Sequence, residues 1–344
     1  MIKQALLLLF LVTGIAAHAQ NDHKKLIREG IELHDKGDYE GAIQKYDQVL
    51  AEDADHFDAN YEKAYSLNML KKYDQCIDIC KKLEKKYTGD PMMNNVYVTW
   101  GNALDHSGKP KDALKVYQKG IERFPNFHLL HYNKAITLAG LNENEECALA
   151  TKAAISSNHL HGSSHFLLSR LMRDNKIPSL LSSLAFLAIE PTTTRAKENL
   201  KNVEDIIKGN VEEVDGKINI TINADALDDT SSRDDNFGFM EMMLGFLSAL
   251  DHQDSLKDAG PTALLQLKLD MIINILSEQK KEDRKGYYWE HYVPFMRAMQ
   301  QEGLLEVFSH IAYASRDLEE NAQWLSDNGE MITEFYTWLK AYKW

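Results

Sequence analysis

GDYEGAIQKYDQVL, residues 37–50, has the spacing of an amphipathic helix that follows a turn. Gly37 can end a preceding helix, because glycine adopts positive φ without steric cost. Tyr39, Ala42 and Tyr46 then recur at helical intervals, with a small residue between two aromatic ones. The small residue lets a second helix approach closely, so the stretch predicts one half of a packed helix pair.

The same spacing of small, apolar and aromatic residues returns along the chain. The first two sets, 34 residues apart, are Gly30, Leu33, Gly37, Tyr39, Ala42, Tyr46 and then Ala64, Leu67, Lys71, Tyr73, Cys76, Cys80. The third set is Trp100, Gly101, Leu104, Gly108, Ala113, Tyr117 and Pro125, and Ala135, Leu138, Cys147 and Ala154 form the fourth. A weaker fifth set is Ser169, Met172, Leu181, Ala185 and Ala188. The step from the first set to the second and the step from the third set to the fourth are both 34 residues. Two such steps favour a true repeat over the alternative, a plain helical bundle whose helices match by chance.

This pattern resembles the tetratricopeptide repeat (TPR), a helix-turn-helix unit of about 34 residues, over roughly residues 23–193. The resemblance implies a mainly all-α fold with a superhelical array. Lys71 and Asn142 replace the turn glycine, and Pro178 stands where the first unit has Tyr39, so the fifth unit departs most. The residues expected at the packing seam between paired helices are Gly30, Ala42, Ala64, Cys76, Gly101, Ala113, Ala135 and Cys147.

We predict three parts in the chain: a signal peptide at 1–19, about five repeats plus a capping helix at 20–209, and a mostly helical C-terminal domain at 210–344. The polar stretch 193–209 is the capping helix that a repeat array needs for solubility. Asp215-Gly216 between β-branched runs predicts a short β-hairpin near 211–223. Helical segments are then expected over roughly 237–251, 261–280, 288–314 and 317–342, with Pro261 at the start of one and Pro294 kinking or beginning another.

The first twenty residues, MIKQALLLLFLVTGIAAHAQ, predict export. Lys3 precedes an apolar run from Ala5 to Ala17, and Ala17 and Ala19 are spaced for signal peptidase. A retained membrane anchor is the alternative, although the run is shorter than the roughly 20 residues that cross a bilayer. We therefore expect cleavage near Ala19, a periplasmic or secreted protein, and no stable membrane span in the mature chain.

Charge and cysteine content narrow the classes of partner. With 39 Lys and Arg against 52 Asp and Glu, the net charge is −13, which repels phosphate backbones and disfavours nucleic acid. Three cysteines in 344 residues cannot form a disulfide framework. Cys76 and Cys80 share a helical face and suit a metal or redox pair, but their seam positions favour packing.

Several polar clusters are candidates for chemistry. His159, His161 and His165 suit a zinc site with a water ligand, or polar contacts at a repeat junction, and the sequence leaves both open. The acidic stretch 225–236 lacks the spacing of a calcium loop, which favours a solvated loop. We expect no cofactor.

Signals for catalysis are sparse, since the chain lacks the common motifs of hydrolases, metalloproteases and nucleotide-binding enzymes. Glu290, His291 and Tyr292 in YYWEHY offer an acid and a base beside Trp289, against an ordinary helix segment as the alternative. The aromatic end WLKAYKW, with Trp338, Tyr342 and Trp344, is expected in a core or an interface. We therefore do not expect an enzyme, with residues 210–344 the uncertain part.

The resemblance implies a concave groove, lined by the first helix of each unit, that holds a peptide or protein segment. Carried over position by position, the groove residues are Ile27, Ile31, His34, Tyr61, Tyr65, Asn68, Asn102, Asp105, Tyr132, Ile136, Phe166, Arg170 and Arg173. Ile27 and Ile31 stand where relatives that clamp a chaperone carboxylate carry Lys and Asn. We expect an exported scaffold or adaptor. The alternative is an enzyme or ligand-binding module in residues 210–344, with the repeats used for placement.

Overall fold

The computed structural model describes residues 22–209, 211–214, 217–220, 236–253, 256, 258–280 and 284–344. The predicted signal peptide at 1–19 lies outside these residues, as does the acidic stretch 225–236 apart from Asn236. Contacts between Cα atoms divide the chain into two compact units, Met1–Ala150 (unit 1) and Thr151–Trp344 (unit 2).

Unit 1 is a series of antiparallel helix pairs. Its helices are α1 (22–35), α2 (Tyr39–Glu52), α3 (Phe57–Met69), α4 (Tyr73–Lys86), α5 (Met93–His106), α6 (Pro110–Arg123), α7 (His128–Gly140) and α8 (Asn144–Ser157), the last of which extends into unit 2. We call the first helix of each pair the A helix and the second the B helix. The predicted helix-turn-helix units therefore form, with the A helices α1, α3, α5 and α7 in unit 1.

Two positions beyond the end of each A helix in unit 1, the turn contains a residue with positive φ. The angles are 84° at Gly37, 60° at Lys71, 79° at Gly108 and 59° at Asn142. Two of these four residues are not glycine, and a Cβ in this region costs about 1–2 kcal/mol. The stacking of the helices thus sets the conformation of the turn. The residue at the turn changes only the free-energy cost of adopting positive φ.

The small seam residues let tyrosine rings enter between paired helices. A Cβ on Gly30 would lie 2.4 Å from Tyr46 Cε1, and one on Gly101 would lie 2.2 Å from Tyr117 Cε1. The nearest side chain to Gly30 is therefore that of Tyr46, one helical turn beyond the seam residue Ala42 on the same helix. The second pair has Ala64 and Cys80 at the corresponding positions, so a larger A-helix residue accompanies a smaller B-helix residue. All eight predicted seam residues are buried.

Unit 2 contains the end of the repeat pattern and the C-terminal helices. Its helices are α9 (Gly162–Leu171), α10 (Lys176–Ile189), α11 (Thr194–Lys208), α12 (Gly238–Ser248), α13 (Pro261–Lys280), α14 (Val293–Gln301), α15 (Leu305–Ala312), α16 (Glu319–Asp327) and α17 (Gly329–Ala341). A 3₁₀ turn covers Ala249–His252 and a π-helical turn covers Tyr288–Tyr292. Strands β1 (Val211–Val214) and β2 (Lys217–Ile220) pair antiparallel, with Val211 opposite Ile220, and residues 215 and 216 between them are not described.

Helix α10 is the centre of unit 2. Its residues from Ile177 to Ala188 are all buried, because the sequence KIPSLLSSLAFLAI has no charged face after its first residue. A helix that is apolar all round needs partners on every side, and α10 packs against α9, α11, α12 and α15. One core consequently runs from Ile155 to Leu339.

This shared core explains why the units divide within α8, whereas the repeat pattern places the domain boundary at 209/210. Helix α11 does not end the packed structure as a capping helix would. It contacts α10 and also α12, and it buries Leu200, Val203 and Ile207. The fifth helix pair and α11 therefore belong structurally with the C-terminal helices.

Two expected helical segments are broken in the structure. In the segment 288–314, α14 begins at Val293 with Pro294 in its first turn, as expected. The break between α14 and α15 was not predicted, and Gly303 adopts φ +72° there. The break within 317–342, where α16 and α17 meet at Asn328, was also not predicted. Pro261 begins α13 as expected from its fixed φ. Within the described ranges, no helix combines the length and apolarity that a bilayer crossing requires.

Candidate functional site

The A helices of unit 1 lie side by side and present one common face, which we call the A-helix face. His34 Nδ1 on α1 lies 2.8 Å from Ser66 Oγ on α3, and α5 packs against both α3 and α7. One repeat position on this face is occupied by Ile31, Tyr65, Asn102 and Ile136. Ile31, Tyr65 and Ile136 are 36%, 38% and 41% exposed, so three of the four carry a large apolar side chain to the surface.

A short row of rings extends this apolar surface. His34 stacks on Tyr65 with ring centroids 4.7 Å apart, and its other neighbour is the edge of Tyr39 at 4.9 Å. Tyr61 lies parallel to Tyr65 at 6.5 Å. Burial lowers the pKa of His34 below its usual value, so the imidazole is neutral at pH 7 and the row carries no charge.

Other predicted groove residues in unit 1 serve packing. Asn68 is only 7% exposed, so it lies within the array rather than on its surface. Asn102 Oδ1 accepts a hydrogen bond of 2.6 Å from the Tyr117 hydroxyl group. Asp105 and Tyr132 are half-buried on the A-helix face. The predicted set therefore contains both surface positions and inter-helix positions.

Glu62 is a residue of this face that sequence reasoning missed. It lies on α3, one turn before Tyr65, and is half-buried. Burial, followed by the negative charges of Asp58 and Asp35, raises the pKa of its carboxyl group to about 7. The repeat pattern gives no hint of it, because Arg28 and Thr99 occupy the equivalent positions.

The remaining predicted groove residues lie in unit 2. Phe166 packs against Phe186, with the Arg195 guanidinium group 5.2 Å from its ring centroid. Arg170 and Arg173 are exposed and lie 3.5 and 3.9 Å from Glu198. They line a polar cavity of about 320 Å³ together with Ser169, Glu198, Asn199, Lys201, Asn202 and Asp205. Phe166, Arg170 and Arg173 therefore belong to unit 2 and not to the A-helix face of unit 1.

The three clustered histidines have separate partners. His165 is fully buried, with Nε2 2.9 Å from the His159 carbonyl oxygen and Nδ1 2.8 Å from the Tyr292 hydroxyl group. Nε2 therefore donates and Nδ1 accepts, which fixes a neutral imidazole. Burial lowers its pKa to about 4. His161 Nδ1 instead lies 2.7 Å from Ser164 Oγ. In the described part of the chain, no group of three His, Cys, Asp or Glu residues is arranged to hold a metal ion.

The polar residues of the YYWEHY segment differ in their exposure to solvent. Glu290 is exposed, whereas Tyr292 is buried against His165. Trp289 is fully buried and stacks on Phe237 at a centroid distance of 4.4 Å. His291 packs against the rings of Tyr287 and Trp344, with centroid distances of 4.6 and 6.3 Å. The π-helical turn thus anchors unit 2 through its aromatic residues.

The cysteines are free thiols inside the fold. Cys76, Cys80 and Cys147 are all buried. A hydrogen bond with Cys76, together with burial, raises the pKa of Cys80 well above its usual value, so the reactive thiolate is disfavoured. Cys147 Sγ donates to the Ala135 carbonyl oxygen at 3.2 Å. Their positions are those of small apolar seam residues.

Comparison with known proteins gives the same family as the repeat geometry. The family model of the tetratricopeptide repeat matches residues 33–97, which run from α1 into α5. The segment from α1 to α5 therefore carries tetratricopeptide repeats. A similar relative is the small glutamine-rich tetratricopeptide repeat-containing protein 2 of Mycosarcoma maydis, 28% identical over 107 residues. The match covers 31% of this chain and 30% of the relative, so most of each chain lies outside it.

Solved TPR structures resemble this protein at lower identity. A thermophilic TPR protein from Thermus thermophilus is 17% identical, with a TM-score of 0.45, over 53% of this chain and 99% of that one. YrrB, a TPR protein with an unusual peptide-binding site, is 18% identical with a TM-score of 0.39. That alignment covers 55% of this chain and 97% of YrrB. At this distance the assignment rests on the family match and the repeat geometry.

Proposed function

We propose that this protein is an interaction scaffold whose A-helix face in unit 1 binds an extended peptide or protein segment. The observation that carries the proposal is the repeated exposure of a large apolar side chain at the position of Ile31, Tyr65 and Ile136. The seam residues already hold each helix pair together, so the outer surfaces of these side chains are not needed for stacking. Exposed apolar and aromatic groups in a row are typical of protein contacts.

The test compares a variant of this face with one of the opposite helices. Ile31→Ser/Tyr65→Ser removes two of the exposed apolar groups, and Leu149→Ser on the B helix α8 removes a more exposed one as a matched control. We expect a partner captured from a cell-envelope extract to be lost with the double variant and retained with the control. All three proteins are first checked for equal helical content and equal unfolding temperature.

A photocrosslinker locates the contact. The photoreactive residue p-benzoylphenylalanine at position 65 is expected to crosslink the captured partner, and the same residue at position 149 is not. Equal crosslinking from both positions, or capture that survives the double variant, would overturn the proposal.

We further propose that the protein acts after export. Support comes from the sequence, in which Lys3, the apolar run from Ala5 to Ala17 and the small residues Ala17 and Ala19 have the order of a cleaved signal. N-terminal sequencing of protein recovered from cell fractions tests this. A first residue of Gln20 in the periplasmic or secreted fraction supports export, whereas an intact Met1 in the cytosolic fraction contradicts it.

A further inference from the structure

Glu62 is a half-buried carboxylate on the A-helix face that makes no ion pair with the described residues. Among those residues, no nitrogen of Lys, Arg or His lies within 4.0 Å of its carboxylate oxygens. The nearby cations of α1 to α3 have other partners, since Lys63 pairs with Asp47 at 2.5 Å and Lys45 pairs with Glu29 at 2.7 Å. Ionisation of a partly desolvated group without a partner costs free energy. A cation that arrives with a ligand would remove this cost.

The groups that face Glu62 make the site more negative. Asp58 lies one turn earlier on α3, and Asp35 approaches from α1. At the repeat positions level with Asp58 and Glu62, α1 carries Lys24 and Arg28, and neither they nor His34 forms an ion pair with Glu62. From α2, the uncharged Tyr46 hydroxyl group also faces Glu62. On the other side, α5 packs against α3 and has the uncharged Asn95, Thr99 and Asn102 at the equivalent positions, with the acidic Asp105 further along. The field at Glu62 therefore favours a positive group.

The apolar surface lies directly beside this carboxylate. On α3, Glu62, Tyr65 and Met69 follow one another at intervals of three and four residues, which places them in one stripe. Tyr65 and Met69 are 38% and 43% exposed. A ligand that covers this stripe thus meets an apolar surface and a carboxylate about one helical turn apart.

We infer that the bound segment carries a lysine or arginine that pairs with Glu62, next to an apolar side chain that packs on Ile31 and Tyr65. The inference rests on the proposed function of the A-helix face and names the chemistry of its ligand. A side-chain cation is favoured over a metal ion, because no cluster of three potential ligands in the described residues has the geometry for one. The overall negative charge of the chain also favours approach of a basic segment.

The test uses a peptide array and the purified full-length protein. Each 12-residue peptide has a central leucine or tyrosine, followed two residues later by lysine, norleucine or glutamate, with the other positions varied among neutral residues. Norleucine keeps most of the apolar stem of lysine and lacks its charge. We expect lysine peptides to be retained over their norleucine partners, and glutamate peptides to bind least.

Two variants separate the charge of Glu62 from general acidity. Glu62→Gln removes one charge at nearly constant shape, and Glu122→Gln does the same at an exposed position on the B helix α6. For the best lysine peptide, we expect Glu62→Gln to raise Kd roughly tenfold, as loss of a charge-assisted contact does. The norleucine peptide should bind parent and variant equally, and Glu122→Gln should change neither.

The pH dependence gives an independent readout. Since the pKa of Glu62 is about 7, its charge is lost as the pH falls from 8 to 6, so affinity for the lysine peptide should fall in parallel. The Glu62→Gln variant should show no such change. Burial lowers the pKa of His34, so its imidazole gains less charge than an exposed histidine would as the pH falls.

The outcomes distinguish the inference from the proposed function. If peptides bind at the A-helix face but lysine and norleucine peptides are equivalent, or if glutamate peptides bind best, the inference is overturned and the proposed function stands. If no peptide of any class binds, and the Ile31→Ser/Tyr65→Ser variant still captures the partner, the inference and the proposed function are both overturned. A Glu62→Gln effect limited to lysine peptides supports both.

Discussion

Unit 1 and unit 2 are both built from helices, but they bury their apolar residues in different ways. In unit 1, the packing partners are close in sequence, as Gly30 and Tyr46 or Gly101 and Tyr117 show. In unit 2, the partners are distant, and His165 meets Tyr292 across 127 positions. When each helix packs only on its neighbours in sequence, the same buried positions recur and give the sequence a period. Packing between helices that are distant in sequence leaves no such period. This difference explains why the repeat pattern in the sequence is weakest in the fifth helix pair, which contains α10 and lies in unit 2.

The largest effect should come from breaking the continuous core of unit 2. Trp289→Ala removes a fully buried ring that stacks on Phe237, and we expect a loss of about 3–5 kcal/mol of stability. Because α10, α13 and α15 share this core, their amides should lose hydrogen-exchange protection together. As a contrast, Tyr46→Ala in unit 1 should affect α1 to α3 more than α5 and α6. Protection lost evenly through unit 1 would contradict this difference.

A second prediction concerns acid pH and unit 2. The pKa of His165 falls from 6.5 to about 4 on folding, so the unfolded chain binds the proton more readily. Stability from this group is therefore complete above pH 6.5 and is lost as the pH falls towards 4, by about 3 kcal/mol at most. His165→Gln, which stays neutral, should lack this part of the pH dependence.

Urea unfolding followed by tryptophan fluorescence measures the effect of His165, because four of the five tryptophans lie in unit 2. Glu62 in unit 1 has the opposite sign, since its pKa is raised from 4.5 to about 7. It destabilises the fold as the pH rises through that window. Parallel pH curves for the parent protein and His165→Gln would refute the assignment to His165.

A third prediction tests the short-range packing of unit 1. Gly101→Ala places a methyl group against the buried ring of Tyr117, and we expect a loss of about 1–3 kcal/mol. In a Tyr117→Cys background, which reproduces the Ala64 and Cys80 pair of the second repeat, the same change should be neutral or stabilising. Chemical denaturation of the four proteins in this cycle gives the coupling energy. A coupling near zero would show that the ring does not limit residue 101.

The smallest predicted effect concerns the turns between A and B helices. Lys71 adopts φ 60°, so Lys71→Gly should stabilise the protein by up to about 1 kcal/mol. Asn142→Gly at the equivalent turn should gain less, because asparagine tolerates this conformation better. Midpoints of thermal unfolding compare the two. A loss of stability from Lys71→Gly would mean that the lysine side chain makes a contact worth more than the strain.

The amount that could be predicted differs between the two regions for a physical reason. The helix pairs, their turns and the buried seam residues of unit 1 follow from a local pattern. The partners of α10, the break at Gly303 and the hydrogen bonds of His165 depend on residues far away in the chain. The candidate site lies between these cases. The repeat position predicts the exposed Ile31 and Tyr65, but it gives no sign of Glu62, because burial in the packed array and the charges of Asp58 and Asp35 set the pKa of that carboxyl group.

The sequence by itself determined the TPR units, since each unit buries its small and aromatic residues against its own partner helix and neighbours. It did not separate the outward-facing position of Ile31 and Tyr65 from buried positions such as Asn68. Only the tertiary structure decided where the array merges with the C-terminal helices, because α10 is apolar all round and recruits partners from the whole of unit 2. The environment of Glu62 was decided in the same way. Burial and charge at a surface are sums over several helices, and no local stretch contains them.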